Sequence, residues 1–407
     1  MVLQTSFVAS AEMCGACHSL FNPAESAHDE TGTPYPFPYY EQRTYEEWKD
    51  SKAARDNVTC IDCHMKVAQG AAVRDGETYD DLAVHSFVGG NIFAVDAVRV
   101  LYPELALGRA ANQVRTWVKE SLESAAELST TTGPVDVESG QSFPVEVRLT
   151  NKTGHKLPSG YPEGRRVFLA VDLELDGSTT ETLTGFWDDA TGVLVPDRQL
   201  RTYETEHGRY ENGTSFRTRR LLLMNQILSD TRLPPEGFTP SFPDMIPVGR
   251  DYGNAPPYRH WDDISYTFTA PEVSALAQGN LRVRAMYQET DGDVVRFLMG
   301  AAAGTDAVTD LETVWGQLGH APPHEMVSLS IPITIRPSSS SNPDAGMPMS
   351  ADGGVSEEKD SGFGLGCLSA ITPGSSFGPT MMMMAFAVGV RRIRSSRSRS
   401  QSRDRTV

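Results

Sequence analysis

The 407-residue chain contains no run of about 20 consecutive apolar residues, the length a membrane helix requires. Its first residues, MVLQTSFVAS, lack both the basic start and the apolar stretch of a secretory leader. Basic residues are in deficit, with 36 Lys and Arg against 53 Asp and Glu, and the net charge of −17 repels nucleic acid. Seven arginines crowd the segment from Arg391 to Arg405, so the rest of the chain is more acidic still. No nucleic-acid partner is expected. A hydrolase triad and a phosphate-cradling glycine loop are both missing, and the acids of FWDDATG and HWDDIS lack the spacing of a calcium loop. Cysteine is scarce too: there are five, and four of them fall in two short pairs.

What is present divides the chain into four parts. Residues 1–130 hold the paired cysteines, with helical patches around EQRTYEEW and a helix whose Val114, Trp117, Val118 and Leu122 share one face, separated by the turn-rich DETGTPYPFPYY. Over 131–337 the period changes to two. Val145, Val147 and Leu149 alternate with polar residues, VFLAVDLEL repeats the pattern before an Asp176-Gly177 turn, and LRVRAMY and VSLSIPITI follow. Little helix is evident between these strands; LLL at 221–223 fits a short helix or a buried strand. Residues 338–366 read as a disordered linker, poor in apolar residues. The segment 367–407 carries Cys367, the apolar TMMMMAFAVGV and the arginine-serine tail, an arrangement expected of a membrane anchor with arginines on the cytoplasmic side. The expected fold class is therefore multidomain α+β: a small, mainly helical domain around the paired cysteines, an antiparallel β-sandwich, a linker and an anchor.

MCGACHSL and TCIDCHMK share Cys-x-x-Cys-His, and this makes the expected helical domain a di-haem domain. Two thiols one helical turn apart can add to the two vinyl groups of a haem, and the histidine that follows is carried under the iron. Cys14, Cys17, Cys60 and Cys63 are thus candidate attachment sites for two covalent haems, with His18 and His64 as proximal ligands. A zinc site built from the four thiols is chemically sensible, but the gap between the pairs exceeds ribbon spacing and both histidines would be idle. A thioredoxin-like pair lacks its βαβ context, and disulfide staples would not require the histidines. For the sixth positions, His85, in AVHSFVGGN, is the first candidate, because two glycines nearby let backbone approach a flat macrocycle. His155, in a turn at the end of a strand, is the second. His28 reads as solvated, Met13 and Met65 as packing, and His207, His260, His320 and His324 have no clear claim. Trp48, Trp117 and Phe87 are candidate walls, with plain core packing as the competing reading.

In order along the chain, MCGACHSL, EQRTYEEWKDS, TCIDCHMK, HSFVGGN, NKTGHKLPSGYPEGRRVFLAV, SDTRLPPEGF and HWDDISYTFTAP resemble exported multihaem c-type cytochromes over residues 10 to 335. The resemblance implies electron transfer in the periplasm or at the cell surface with redox partner proteins, and it supports His85 and His155 as ligands. SGFGLGCLSA with the apolar run and Arg391-Arg392 resembles a myxobacterial C-terminal sorting tag, with Cys367 as the processing or lipidation point. Such proteins carry a leader and further haem motifs upstream, so a truncated or misassigned start is expected. Three functions follow. An electron carrier leads. The second is a haem oxidoreductase acting on a small nitrogen or sulfur oxyanion at an open haem, with Arg165 and Arg166 as anion holders. The third is a surface binding module with structural haem. No oligomeric state is implied.

Overall fold

The computed structural model describes residues 6–339. Most of the expected linker 338–366 and all of the anchor segment 367–407, with Cys367, lie outside the described residues. Among the described residues no helix is long and apolar enough to cross a membrane.

Two sheets face one another across one apolar core. The six-stranded sheet runs Arg201–Tyr203, Arg166–Leu175, Ala277–Gln288, His324–Arg336, Val135–Glu138, with Ser178–Thr184 added beside Arg166–Leu175. The three-stranded sheet runs Trp261–Thr269, Ser142–Asn151, Ala126–Thr130. Strand Ser142–Asn151 alternates buried and exposed residues, as a strand with one wet face must. Strand Arg166–Leu175 is buried nearly throughout. Val167, Leu169, Val171 and Leu173 enter the core between the sheets, while Phe168 and Ala170 pack on the other face against Leu194 and Met286. Asp172 on that strand is buried because Arg284 and Thr182 satisfy it, Arg284 at 2.7 Å. Helix Gly108–Ser124 lays Val118 and Leu122 on the same core, with the half-buried Trp117 packed against it.

The expected mainly helical domain over the first 130 residues is not what forms. That region contributes strands Leu20–His28 and Pro34–Gln42 to a five-stranded sheet whose other members, Gln226–Asp230, Thr205–Glu211 and Thr214–Arg217, come from far along the chain. A further hairpin, Val67–Ala71 with Thr78–Ala83, also lies there, and the described molecule is mostly β. DETGTPYPFPYY misleads because its prolines signal turn. Pro34, Pro36 and Pro38 instead alternate along a strand at the sheet's edge, where a row of missing N–H groups is tolerated. The intervening Tyr35, Phe37 and Tyr39 pack with Ala27, Met224 and Ile227.

A second correction concerns helices Gly292–Ala301 and Asp306–Gln317, which lie between strands where little helix was expected. Asp291 caps the first by accepting from Val294 N at 2.7 Å, and Thr305 the second by accepting from Val308 N. Their apolar faces meet around Val295 and Trp315. Leu221–Leu223 is a short 3₁₀ turn with Leu222 and Leu223 exposed.

Leu149 is fully buried between the two sheets. Leu149→Ala removes side-chain volume there with little room for relaxation, and a loss of about 2–5 kcal/mol in urea unfolding is expected.

Candidate functional site

Both Cys-x-x-Cys-His motifs are helical. Helix Ala11–His18 places Cys14 and Cys17 one turn apart, and helix Cys60–His64 does the same for Cys60 and Cys63. The second helix starts at Thr59, whose backbone N–H and hydroxyl both donate to the Asp62 carboxylate, at 2.6 and 3.0 Å. All four cysteines are free thiols, Cys17 and Cys63 exposed. The two motifs meet at their first cysteines: burial, then the adjoining Cys14 thiol, pushes Cys60 up to about 12. Among the described residues no three or more His, Cys, Asp and Glu side chains are gathered as a metal cluster would need.

A six-residue helix, Thr44–Lys49, positions everything around the motifs. The amide nitrogen of Gln42, just before it, lies 2.8 Å from Nδ1 of His18. Tyr45 packs its ring on Gly15, where a Cβ would lie 2.8 Å from the ring carbons, so the motif needs glycine there. Ser19 donates to Glu46 at 2.8 Å. Trp48 donates its indole N–H to the carbonyl of Val58, at the threshold of the second motif. Thr44 accepts from Gly160 N at 3.0 Å.

Glu47, on the same helix, is buried. It accepts from Lys156 N at 3.1 Å and from the Ser159 hydroxyl at 2.6 Å, and pairs with Arg232 at 2.9 Å. Arg232 pairs in turn with Asp230 at 2.7 Å, and Asp230 with the Lys156 ammonium at 2.7 Å. Burial alone would push Asp230 up, but the Arg232 and Lys156 charges more than reverse this and hold it well below the usual carboxylate range. Asn151 completes the frame by donating to the carbonyls of His155, Leu233 and Pro234.

This frame clamps the loop that carries His155. The His155 ring lies 6.2 Å from that of His64, centre to centre, with the planes 20° apart. Each donates Nδ1–H to a backbone carbonyl, His64 to Val88 and His155 to Lys156, leaving both Nε2 atoms without a proton. Burial, helped by the His64 charge and partly opposed by the bond to the Lys156 carbonyl, lowers the pKa of His155. His18 is also lowered, by desolvation and then by His64 and Arg165. Thus the structure brings the His155 ring beside that of His64, with the two planes near parallel. His85 is exposed and stacks on Phe87 at 5.8 Å, and Phe87 is exposed as well. Trp48 stands between the second motif and Gly154, beside the His155 loop.

These donors suit a haem. Metal–imidazole nitrogen bonds run about 2.0–2.1 Å, and a ring centre sits about 1.1 Å behind its nitrogen, so two imidazoles opposite one another on a metal have centres roughly 6 Å apart. The thiols offer two attachment points per motif on one helical face. The ion network around Glu47 was not foreseen. Its members lie in EQRTYEEWKDS, NKTGHKLPSG and SDTRLPPEGF, stretches that carry resemblance but whose charges look like ordinary surface until the chain is folded.

No family model matches the chain, and no curated protein does. Among solved structures it is similar to a penta-haem cytochrome c552 from Thermochromatium tepidum, at 16% identity and a TM-score of 0.39, covering 81% of this chain and 57% of that one. It is also similar to the sporulation control protein Spo0M from Bacillus subtilis, at 8% identity and a TM-score of 0.17, covering 53% and 50%. The chain thus spans about half of each of these two structures, and at these TM-scores neither likeness carries an argument.

Glu47→Gln leaves the buried Arg232 with one carboxylate fewer, and a loss of roughly 3–5 kcal/mol in chemical unfolding is expected. A pH effect is expected beside it. His207 is buried with Nδ1 unpartnered, and burial, then the Arg232 charge, pushes it from 6.5 down to about 3. Between those values the unfolded chain binds a proton that the folded one does not. Stability therefore falls as pH falls from 6.5 towards 3, by about 1.4 kcal/mol per pH unit from this group. Urea unfolding at pH 6.5, 5.5 and 4.5 should show this slope as the difference between the wild type and His207→Gln.

Proposed function

We propose that the chain is a c-type multihaem cytochrome that carries electrons, with haems attached at Cys14/Cys17 and Cys60/Cys63, His18 and His64 as proximal ligands and His155 opposite His64. The observation that carries this reading is the near-parallel pair of His64 and His155 rings at 6.2 Å, each with Nδ1 tied to backbone. Haem bound there supplies a site that takes up and gives back one electron. The protein's part is to hold the two nitrogens still, to leave no position for substrate between them, and to exclude water with the packed His155 loop. Because Cys14 and Cys60 adjoin, attachment at both motifs would anchor the two macrocycles at neighbouring points, which favours transfer between them.

On the same reading the protein works in the periplasm or at the cell surface, because haem is joined to such cysteine pairs outside the cytoplasm. It would exchange electrons with redox partner proteins there, and its arginine-rich C-terminal segment would hold it at a membrane.

Protein matured with a c-type assembly system should carry two haem additions by mass that survive denaturation. His155→Ala should keep both additions yet convert one haem from a low-spin to a high-spin spectrum. Protein that is colourless, or that loses its pigment to acidified acetone, would falsify the reading.

A further inference from the structure

Arg165, like its neighbour Arg166, has no ion-pair partner among the described residues, but the two face different surroundings. Arg165 is half-buried, yet among the described residues no carboxylate lies within ion-pair distance of it, while Arg232, Arg201 and Arg284 each have one. Its nearest acid in electrostatic terms, Glu289, is already engaged, because both of its carboxylate oxygens accept from the first turn of helix Ile92–Leu101, from Phe93 N at 2.7 Å and Ala94 N at 3.0 Å. Two of the five guanidinium N–H groups are used. Nη1 donates to the carbonyl of Ser159 at 2.9 Å and Nη2 to Oδ1 of Asn91 at 3.2 Å.

Those partners locate the group. Ser159 belongs to the loop that carries His155, and Asn91 follows the segment whose Val88 accepts from His64. Arg165 thus bridges the two segments that bracket the facing imidazoles, and its charge also bears on His18. Its seat is built for it: Gly160 has φ +90, and a Cβ there would lie 2.2 Å from Nη1. A guanidinium drawn partly out of water, with three donors in a planar fork, matches a carboxylate, and a haem carries two of them as its propionates.

We infer that Arg165 is a positioning residue that holds a propionate of the haem bracketed by His64 and His155. This rests on the reading of the site as a haem centre. Holding the propionate sets the tilt of the macrocycle between the imidazoles and offsets its negative charge, which favours the reduced iron. A free small oxyanion is the other source of the same chemistry.

The test uses holoprotein whose two haems have first been counted by mass, so that failure of haem attachment, which would remove both readings, is seen separately. Spectroelectrochemistry across pH is then run on wild type, Arg165→Gln, Arg165→Lys and Arg166→Gln. Arg166, which donates to Gln288 at 2.8 Å, is the control for loss of a charge one residue away. Arg165→Gln should lower the midpoint potential of the haem that His155→Ala turns high-spin. It should also move the pH dependence of that potential to higher pH, because the released propionate takes up a proton more readily. Arg165→Lys should fall between it and wild type, and Arg166→Gln should match wild type. An unchanged potential in Arg165→Gln with both haems present overturns the inference, as does an equal shift in Arg166→Gln. Nitrite or sulfite altering the wild-type spectrum but not that of Arg165→Gln would reassign Arg165 to a free oxyanion.

Discussion

A single buried carboxylate, Glu47, fixes where the functional groups of this protein stand. It joins Arg232, the backbone of Lys156 and the hydroxyl of Ser159, and through Arg232 and Asp230 it reaches the Lys156 ammonium. Two acids and two bases leave no net charge in the cluster, but each ion alone would cost several kcal/mol to keep from water. The loops that carry these groups therefore cannot slide past one another without stranding a charge. That is a stricter constraint than apolar contact, which tolerates repacking. It also explains how a helix as short as Thr44–Lys49, far below the length that is stable alone, can serve as the hub. Its successive side chains reach the first motif, the second motif and the His155 loop, and those contacts hold it in turn.

His155 gains its definition from this frame. A metal-ligating imidazole is most useful when its other nitrogen is already committed, because that fixes both the tautomer and the ring plane. His64 and His155 are committed to Val88 and Lys156 carbonyls, and the Lys156 carbonyl is itself fixed by the residue whose ammonium and N–H are locked in the ion network. The chain of cause runs from a buried ion pair to a backbone carbonyl to a ring orientation.

How much of this can be read in the sequence depends on the range of the interaction. Cys-x-x-Cys-His is local: residues three apart on a helix share a face whatever the rest of the fold does, and both motifs are helical as expected. The strands around Val145 and Leu169 and the helix bearing Val118 and Leu122 are also legible, because one-sided burial writes its period into the chain. The first 130 residues fail as a helical unit for the opposite reason. Strand Leu20–His28 has no clean alternation and joins the distant strand Gln226–Asp230 only at His28, and its main partner, an edge strand with three prolines, disguises itself as a loop. Helices Gly292–Ala301 and Asp306–Gln317 were legible in principle, since Asp291 and Thr305 are capping residues followed by apolar positions at helical spacing. His85 lies near the second motif in sequence, but His155 comes to it through contacts of Asn151, Glu47 and Lys156 that no local pattern records.

An electron carrier makes a particular demand on such a frame, because every displacement of ligands between oxidation states adds to the barrier for transfer. Rings held only by the metal would relax when its charge changed. Here each ring is tied through Nδ1 to a backbone carbonyl, and the one that holds His155 belongs to Lys156, a member of the ion network. The energy that holds the pair is thus stored in the folded protein and does not have to be drawn from ligation. A binding site for an exchangeable substrate would gain from the reverse arrangement, with an open position and a loop free to close. The buried and charge-balanced surroundings of His155 are of the kind that the proposed electron carrier would need, since a centre that changes charge without changing shape meets the smallest barrier.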